Sequence, residues 1–202
     1  GLVLPDAVFH LLNVAGIPVS ETARVQMARH LALIRQWNAY ASLVSSGDLE
    51  DMVQRHVVDS LSLAPYLAQT EGLLVDIGSG GGFPAIPLKI LFPSHSVHLF
   101  ERSAKKAGFL RKVIGALGLK DIQLQQGEFP HAAHVDGPIG CVTARAVERP
   151  DYLAKSILGW MPRGSKFLCQ SGAGLPECDG MFHVEHVLDE WRRLGLRRGE
   201  LQ

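Results

Sequence analysis

Three glycines at alternate positions, Gly78, Gly80 and Gly82, follow directly on Leu73-Leu74-Val75-Asp76-Ile77. The apolar, β-branched run reads as a buried strand, and the glycines as a tight turn, because glycine alone enters left-handed backbone without steric cost. Pro84 then offers a helix start: its ring presets φ, and its missing N–H is not needed in a first turn. Strand, turn and helix N-terminus in succession aim backbone N–H groups and the positive end of a helix dipole at whatever binds there. A chain built around such a unit is committed to an α/β fold that cradles a ligand at the turn.

Spacing narrows the ligand. The dinucleotide fingerprint places glycine at its first, third and sixth positions, and the sixth position here is Phe83. An acid two residues before Gly-x-Gly-x-Gly instead resembles motif I of the class I S-adenosylmethionine-dependent methyltransferases. In that family the turn passes under the methionine moiety and binds no phosphate. Val97-His98-Leu99-Phe100 reads as the next strand and ends in Glu101, 23 residues after Gly78. A carboxylate there can accept both hydroxyls of a ribose. The rival readings are a glycine-rich loop with no ligand and a nicotinamide-dependent dehydrogenase.

The 202 residues suffice for one α/β domain with a sizeable core and a small accessory piece. With 47% hydrophobic and 20% charged residues the composition is globular. No uncharged stretch is long enough to span a membrane, and no basic region followed by an apolar run marks a signal peptide. Cys141, Cys169 and Cys178, odd in number and widely spaced, read as reduced thiols, so a cytoplasmic protein is expected. Twenty basic and twenty acidic residues leave no net charge. A nucleic-acid partner would therefore need a local basic face.

Residues 1–70 read as helical and as a small bundle packed on the domain formed by residues 71–202. Pro5-Asp6 starts a helix carrying Val8, Leu11, Leu12 and Ala15, which Gly16 and Pro18 end. Ser20-Glu21 caps a longer helix through Met27, Leu31 and Ile34 that closes at Trp37-Asn38. A third helix is expected from Asp48 through Leu61, with Arg55 and Asp59 at i,i+4 spacing and His56 beside them. From residue 73 strands and helices alternate: a helix from Ala85 to Leu91, another capped by Ser103 and ended by Gly118, and a strand with Ile122, Leu124 and Gln126. Then come a strand from Ile139 to Ala146, a helix from Pro150 to Trp160 and a strand from Lys166 to Cys169, with a further strand possible over 182–187. Such alternation implies a parallel, doubly wound sheet with its ligand at the carboxyl ends of the strands. Arg192, Arg193, Arg197 and Arg198 make the tail basic, either a solvated end or a phosphate-contacting patch. The pairs His131/His134 and His183/His186 lack the H-E-x-x-H pattern and a third ligand, so no metal is expected.

Taken together, Trp37-Asn38, Arg55-His56 with Asp59-Ser60-Leu61, Val75 to Leu88 with its Gly-Phe-Pro-Ala-Ile-Pro-Leu continuation, Lys106 with Phe109-Leu110, and Ala144-Arg145-Ala146 carry a closer likeness. Over nearly its full length the chain resembles the bacterial 7-methylguanosine methyltransferases of small-subunit ribosomal RNA, the glucose-inhibited division protein B family. The resemblance implies a Rossmann-like methyltransferase with S-adenosylmethionine as cofactor, held by Asp76, Gly78, Ser79, Gly80, Gly82, Phe83, Glu101, Arg102, Glu128, Phe129 and Arg145. It implies 16S rRNA or the small ribosomal subunit as partner, contacted by Arg55, His56, Arg145, Arg197 and Arg198, and a monomer is expected. No acid or base is assigned to catalysis, since guanine N7 carries a lone pair and no proton. The chain departs from the family pattern at Ser42-Leu43-Val44, where Asn-Leu-Thr is common, at Glu128, where a basic residue is common, and at Ser171-Gly172. Each change removes a polar or basic group from the RNA side, so the alternative is a catalytically impaired relative that binds cofactor or RNA.

Overall fold

The computed structural model describes residues 6–129, 134–145, 150–170 and 181–183. Helix α1 (Asp6–Val14) ends before Gly16, which turns left-handed at φ 73°. Helix α2 (Glu21–Ala41) begins at Ser20, whose Oγ accepts the Ala23 N–H at 3.1 Å and satisfies one of the donors that a helix start leaves free. Its buried face, Ala23, Met27, His30, Leu31 and Ile34, recurs at helical spacing. The helix runs one turn beyond the Trp37-Asn38 end that the sequence pattern suggests. There Asn38 Oδ1 accepts the N–H groups of Leu43 and Val44 at 2.8 and 2.9 Å, after Ser42 has reversed the chain at φ 49°.

The continuous helix expected from Asp48 to Leu61 is instead broken into α3 (Ser46–Glu50), a π-helical turn (Val53–Val57) and α4 (Val58–Leu61), followed by α5 (Ala64–Ala68). In a π turn residues five apart align. Met52 and Val57 thereby share one inward side with Leu61, and all three are buried. The break also redirects Arg55, which pairs with Asp48 at 2.8 Å and not with Asp59.

Among the described residues six strands form one parallel sheet: β1 (Leu73–Ile77), β2 (Val97–Glu101), β3 (Ile122–Gln126), β4 (Ile139–Arg145), β5 (Lys166–Gln170) and β6 (Met181–His183), in the order β3-β2-β1-β4-β5-β6. Helices α6 (Ala85–Leu91), α7 (Ala104–Leu117) and α8 (Pro150–Trp160) lie between strands in the chain, as the alternation requires. The possible strand over 182–187 appears as Met181–His183, and the rest of that stretch lies outside the described residues. Side chains leave β1 and β2 alternately. Leu74 and Leu99 enter a large apolar cluster shared with α1, α2, α4, α6 and α7, while Val75, Ile77 and Phe100 enter a smaller one with Val142, Ile157 and Phe167. The helices before residue 70 are thus built into the same core as the sheet. Strand order reverses between β1 and β4, and a doubly wound sheet opens its crevice at the carboxyl ends of such a pair.

Candidate active site

At that crevice the glycine turn is fastened from three sides. The N–H groups of Gly78 and Ser79 both donate to the Phe100 carbonyl of β2, at 2.9 and 3.1 Å, and the Gly82 N–H donates to Ser79 O at 2.7 Å. Gly78, Gly80 and Gly82 all have positive φ, 72°, 52° and 94°. Glycine is demanded most strictly at 82, where a Cβ would lie 2.6 Å from Ile86 Cγ1 and 3.1 Å from His30 Nε2. The Ile86 N–H closes onto Gly82 O at 2.7 Å, so α6 grows directly out of the turn.

Glu101, at the end of β2 and 6% exposed, bridges two turns. Its Oε2 accepts the Gly80 N–H at 2.7 Å and its Oε1 the Ser103 N–H at 3.0 Å. Each carboxylate oxygen can accept two hydrogen bonds, so each retains one open acceptor position after these contacts. Asp76 is 1% exposed and its Oδ1 accepts the Thr143 hydroxyl of β4 at 2.7 Å, which ties the two strands of the switch point together beneath the turn. The Ser79 side chain is buried as well and donates to Asp76 O at 3.3 Å. Gly78 is exposed, as is Arg102 beyond the end of β2.

Phe83 is 1% exposed and lies within the large cluster. The His30 and His56 rings lie 5.0 Å from it, His56 stacked at 22°. His56 is therefore packed under the turn, with Nε2 3.5 Å from Asp48 Oδ2, while Arg55 keeps 52% of its side chain in solvent. Burial alone would raise the Asp48 carboxyl; Ser45, His56 and Arg55 outweigh it and hold the group below its ordinary range. Beyond the end of β3, Phe129 meets Trp160 edge-on at 5.2 Å and Phe100 at 6.3 Å, both Phe129 and Trp160 packing against the smaller apolar cluster, and Glu128 next to Phe129 is exposed. Arg145 ends β4, its backbone paired in register with Gln170. Its side chain, like Arg197, Arg198 and Ser171, lies outside the described residues.

Three contributors escape the motif reading: Thr143, Ser103 and above all His30. His30 Nε2 lies 2.8 Å from Gly81 O, and since a carbonyl only accepts, that nitrogen carries a hydrogen. Burial pulls its pKa down to about 4, against the opposing pull of the Gly81 bond, so at neutral pH the ring is uncharged. The spacing Met27-His30-Leu31-Ile34 on one face of a helix was the available signal. Burial likewise raises the Cys141 thiol to about 12, leaving it unreactive. Among the described residues no group of His, Cys, Asp and Glu could hold a metal ion, and no helix is long and apolar enough to cross a membrane.

A family model described as GidB, rRNA small subunit methyltransferase G, matches residues 23–177. A ribosomal RNA small subunit methyltransferase G of Geobacillus thermodenitrificans is 37% identical over 171 residues, covering 83% of this chain and 72% of the relative. One of Bradyrhizobium diazoefficiens is 38% identical over 188 residues, covering 87% and 70%. Among solved structures, SAH-bound Podospora anserina methyltransferase PaMTH1 aligns with a TM-score of 0.54 at 15% identity, over 84% of this chain and 72% of that one. A putative O-methyltransferase from Klebsiella pneumoniae aligns at 0.53 and 16%, over 95% and 85%. At such identities the structural likeness speaks for the fold, the Rossmann-like architecture of methyltransferases.

Proposed function

The chain belongs to the GidB family of small-subunit rRNA methyltransferases, and from that membership we propose that it moves a methyl group from S-adenosylmethionine to N7 of a guanine in 16S rRNA, in the cytoplasm. The observation that carries the reading is the family match across residues 23–177, which contains the glycine turn, Glu101 and the end of β4. The donor set fits the cofactor. A ribose diol needs two acceptors side by side, and the Glu101 carboxylate offers one open position on each oxygen while its other positions fix the turn. Gly78 presents bare backbone to the crevice, and half-buried Phe129 just beyond the end of β3 offers an apolar ring for a flat purine.

When bound, the cofactor supplies an electrophilic sulfonium methyl. Guanine N7 has an in-plane lone pair and no proton to lose, so these side chains have no proton to remove during transfer. What the chain would contribute is alignment: the glycine turn and Glu101 would fix the cofactor while the cationic side chains would position the base against it. A-form RNA hides N7 in a deep, narrow groove, so the target base is unstacked or lies in a single-stranded segment. Arg145 at the end of β4, Arg55 on the exposed side of the π turn and the Arg197-Arg198 tail are the phosphate contacts in this reading.

The test is methyl transfer to small ribosomal particles from a strain lacking this gene, with 7-methylguanosine located by mass mapping of the RNA. Transfer to neither particles nor naked RNA overturns the proposal, and cofactor binding without turnover on either would identify the impaired relative. S-adenosylhomocysteine, and not NAD, should raise the melting temperature. Glu101→Ala should weaken S-adenosylmethionine binding by on the order of 1.5–3 kcal/mol, about one to two decades by calorimetry. Unchanged affinity would remove Glu101 from the ribose.

A further inference from the structure

The chain carries no net charge, yet two adjacent helices do. Along α2 and α7 stand Arg24, Arg29, Arg35, Lys105, Lys106, Arg111 and Lys112, against a single acid, Glu21. The two helices pack side by side and run antiparallel, since Gln26 near the start of α2 donates to Leu117 O at the end of α7, at 3.0 Å. Glu21 therefore sits at the opposite end of α2 from Tyr40, roughly 28 Å along the helix axis. Arg24 lies over the Phe9 ring at 4.2 Å and Arg111 donates to Gln126 Oε1 at 3.3 Å, and the remaining cations of the two helices supply the local positive charge that a nucleic-acid partner of a neutral protein needs.

At the Tyr40 end the helices flank a shallow, open groove of about 560 Å³ lined by Gln36, Trp37, Tyr40, Ala104, Lys105 and Gly108. Tyr40 is 59% exposed, a large aromatic ring left in water, and Trp37 meets it edge-on at 6.1 Å. Lys105 Nζ lies 4.7 Å from the Tyr40 ring centre. Gly108 forms part of the lining although it stands inside a helix, where glycine costs about 1 kcal/mol relative to alanine. Packing does not ask for it, because a Cβ there would meet nothing within 4 Å. What the missing side chain preserves is open space. The groove begins at Ala104, next to Ser103, whose N–H Glu101 holds, so it adjoins the crevice at the end of β2.

We propose that this α2–α7 groove holds an unstacked base of the substrate RNA strand against Tyr40 and Trp37, with the adjoining phosphate on Lys105; the inference rests on the rRNA reading above and adds where the strand lies. Stacking on exposed aromatic rings beside a cationic track is the general means of holding single-stranded nucleic acid, and every base has the π-face it needs. The flexible Lys105 stem lets its ammonium move from the ring to a phosphate, which uncovers the Tyr40 face. Gln36 supplies both a donor and an acceptor for a base edge.

The experiment measures binding of a labelled single-stranded oligoribonucleotide by anisotropy, alongside calorimetry with S-adenosylhomocysteine. Tyr40→Ala should weaken RNA binding about ten- to a hundredfold, and Tyr40→Phe should restore it. Lys105→Gln should lower the slope of log affinity against log salt by about 0.7, the signature of one lost phosphate contact. Gly108→Leu should fill the groove and weaken RNA binding while raising the melting temperature through better helix propensity. All four variants should keep wild-type affinity for S-adenosylhomocysteine. Wild-type RNA affinity and salt slope in Tyr40→Ala, Lys105→Gln and Gly108→Leu would overturn the inference. So would unchanged RNA affinity joined to weakened binding of whole small subunits, which would assign the groove to a ribosomal protein. If the groove variants lose RNA but the wild type methylates no RNA or particle, the groove stands and the methyltransferase reading falls.

Discussion

Gly82 in the turn and Gly108 in the groove are both glycines that line a binding region, for opposite reasons. At Gly82 the backbone sits at φ 94° and a Cβ would collide with Ile86 and His30, so the local fold forbids any side chain. At Gly108 helical geometry and open surroundings would both accept one. The turn is built from backbone conformation and buried hydrogen bonds, in which each donor of residues 78, 79, 80 and 82 has an acceptor. The groove is built from exposed side chains on two regular helices. Small-molecule recognition at the turn is therefore inseparable from stability, whereas recognition along the groove can be altered with the fold intact.

The largest test of that contrast is Gly82→Ala. Left-handed backbone costs a non-glycine residue about 1–2 kcal/mol, and forced overpacking adds about 1–3 kcal/mol. A loss on the order of 3 kcal/mol or more is expected in urea unfolding, together with weaker cofactor binding, while Gly108→Ala should stabilise by up to about 1 kcal/mol. Equal effects at the two positions would dissolve the comparison.

His30 sharpens it through pH. Its pKa in the folded protein is about 4, below the ordinary imidazole value of 6.5, so between those values the unfolded chain binds a proton that the folded chain does not. Stability therefore falls as pH drops from about 6.5 towards 4, by roughly 2–4 kcal/mol over the whole interval, and is constant with respect to this group above 6.5. His95 and His98, also lowered by burial, act with the same sign. His30→Gln, which keeps an N–H for Gly81 O, should flatten the pH dependence of unfolding free energy by about 2 kcal/mol between pH 6.5 and 4.5. A parallel pair of curves would mean that His30 is not held neutral beneath the turn.

The turn was legible in the sequence because its requirements are conformational: glycine takes the φ values at 78, 80 and 82 without strain, and Glu101 follows from where the next strand must end. The alternation from residue 73 to 170 was legible because each strand and helix obeys its own period. The partner of Asp76 was not. Thr143 lies 67 residues away and reaches it only because β1 pairs with β4, a neighbour that strand order, not sequence order, decides. Phe83 and His56 are expected at the cofactor and RNA sites from the family likeness; their burial against each other was not legible, because it depends on the π turn at Val53–Val57, which resets the helical phase and stacks His56 on Phe83. His30 had the spacing of a buried position, and its polarity concealed it. The positive charge gathered along α2 and α7 was hidden in a balanced total charge, because no sequence period pairs two antiparallel helices.

Ser42 joins the two regions, and the smallest effect belongs to it. It ends α2 just beyond Tyr40 of the groove, and the carbonyl of the next residue, Leu43, lies 3.4 Å from where a Cβ on Gly81 would stand, so the reversal at Ser42 sets α2 against the turn. That reversal needs φ 49°, a region that serine tolerates poorly, asparagine better and glycine without penalty. The strain is offset by the Asn38 side chain, which holds the two following N–H groups. Ser42→Asn should therefore stabilise by about 0.5 kcal/mol, and Ser42→Gly by up to about 1 kcal/mol once the greater freedom of the unfolded glycine chain is subtracted. For a chain of this length that is a rise of about 1–4 °C in melting temperature. Because the substitution relieves strain without moving the turn, cofactor affinity should stay at the wild-type value. A lower melting temperature in both variants would show that the serine hydroxyl makes a contact worth more than the strain, and that the reversal is held at Ser42 and not by Asn38.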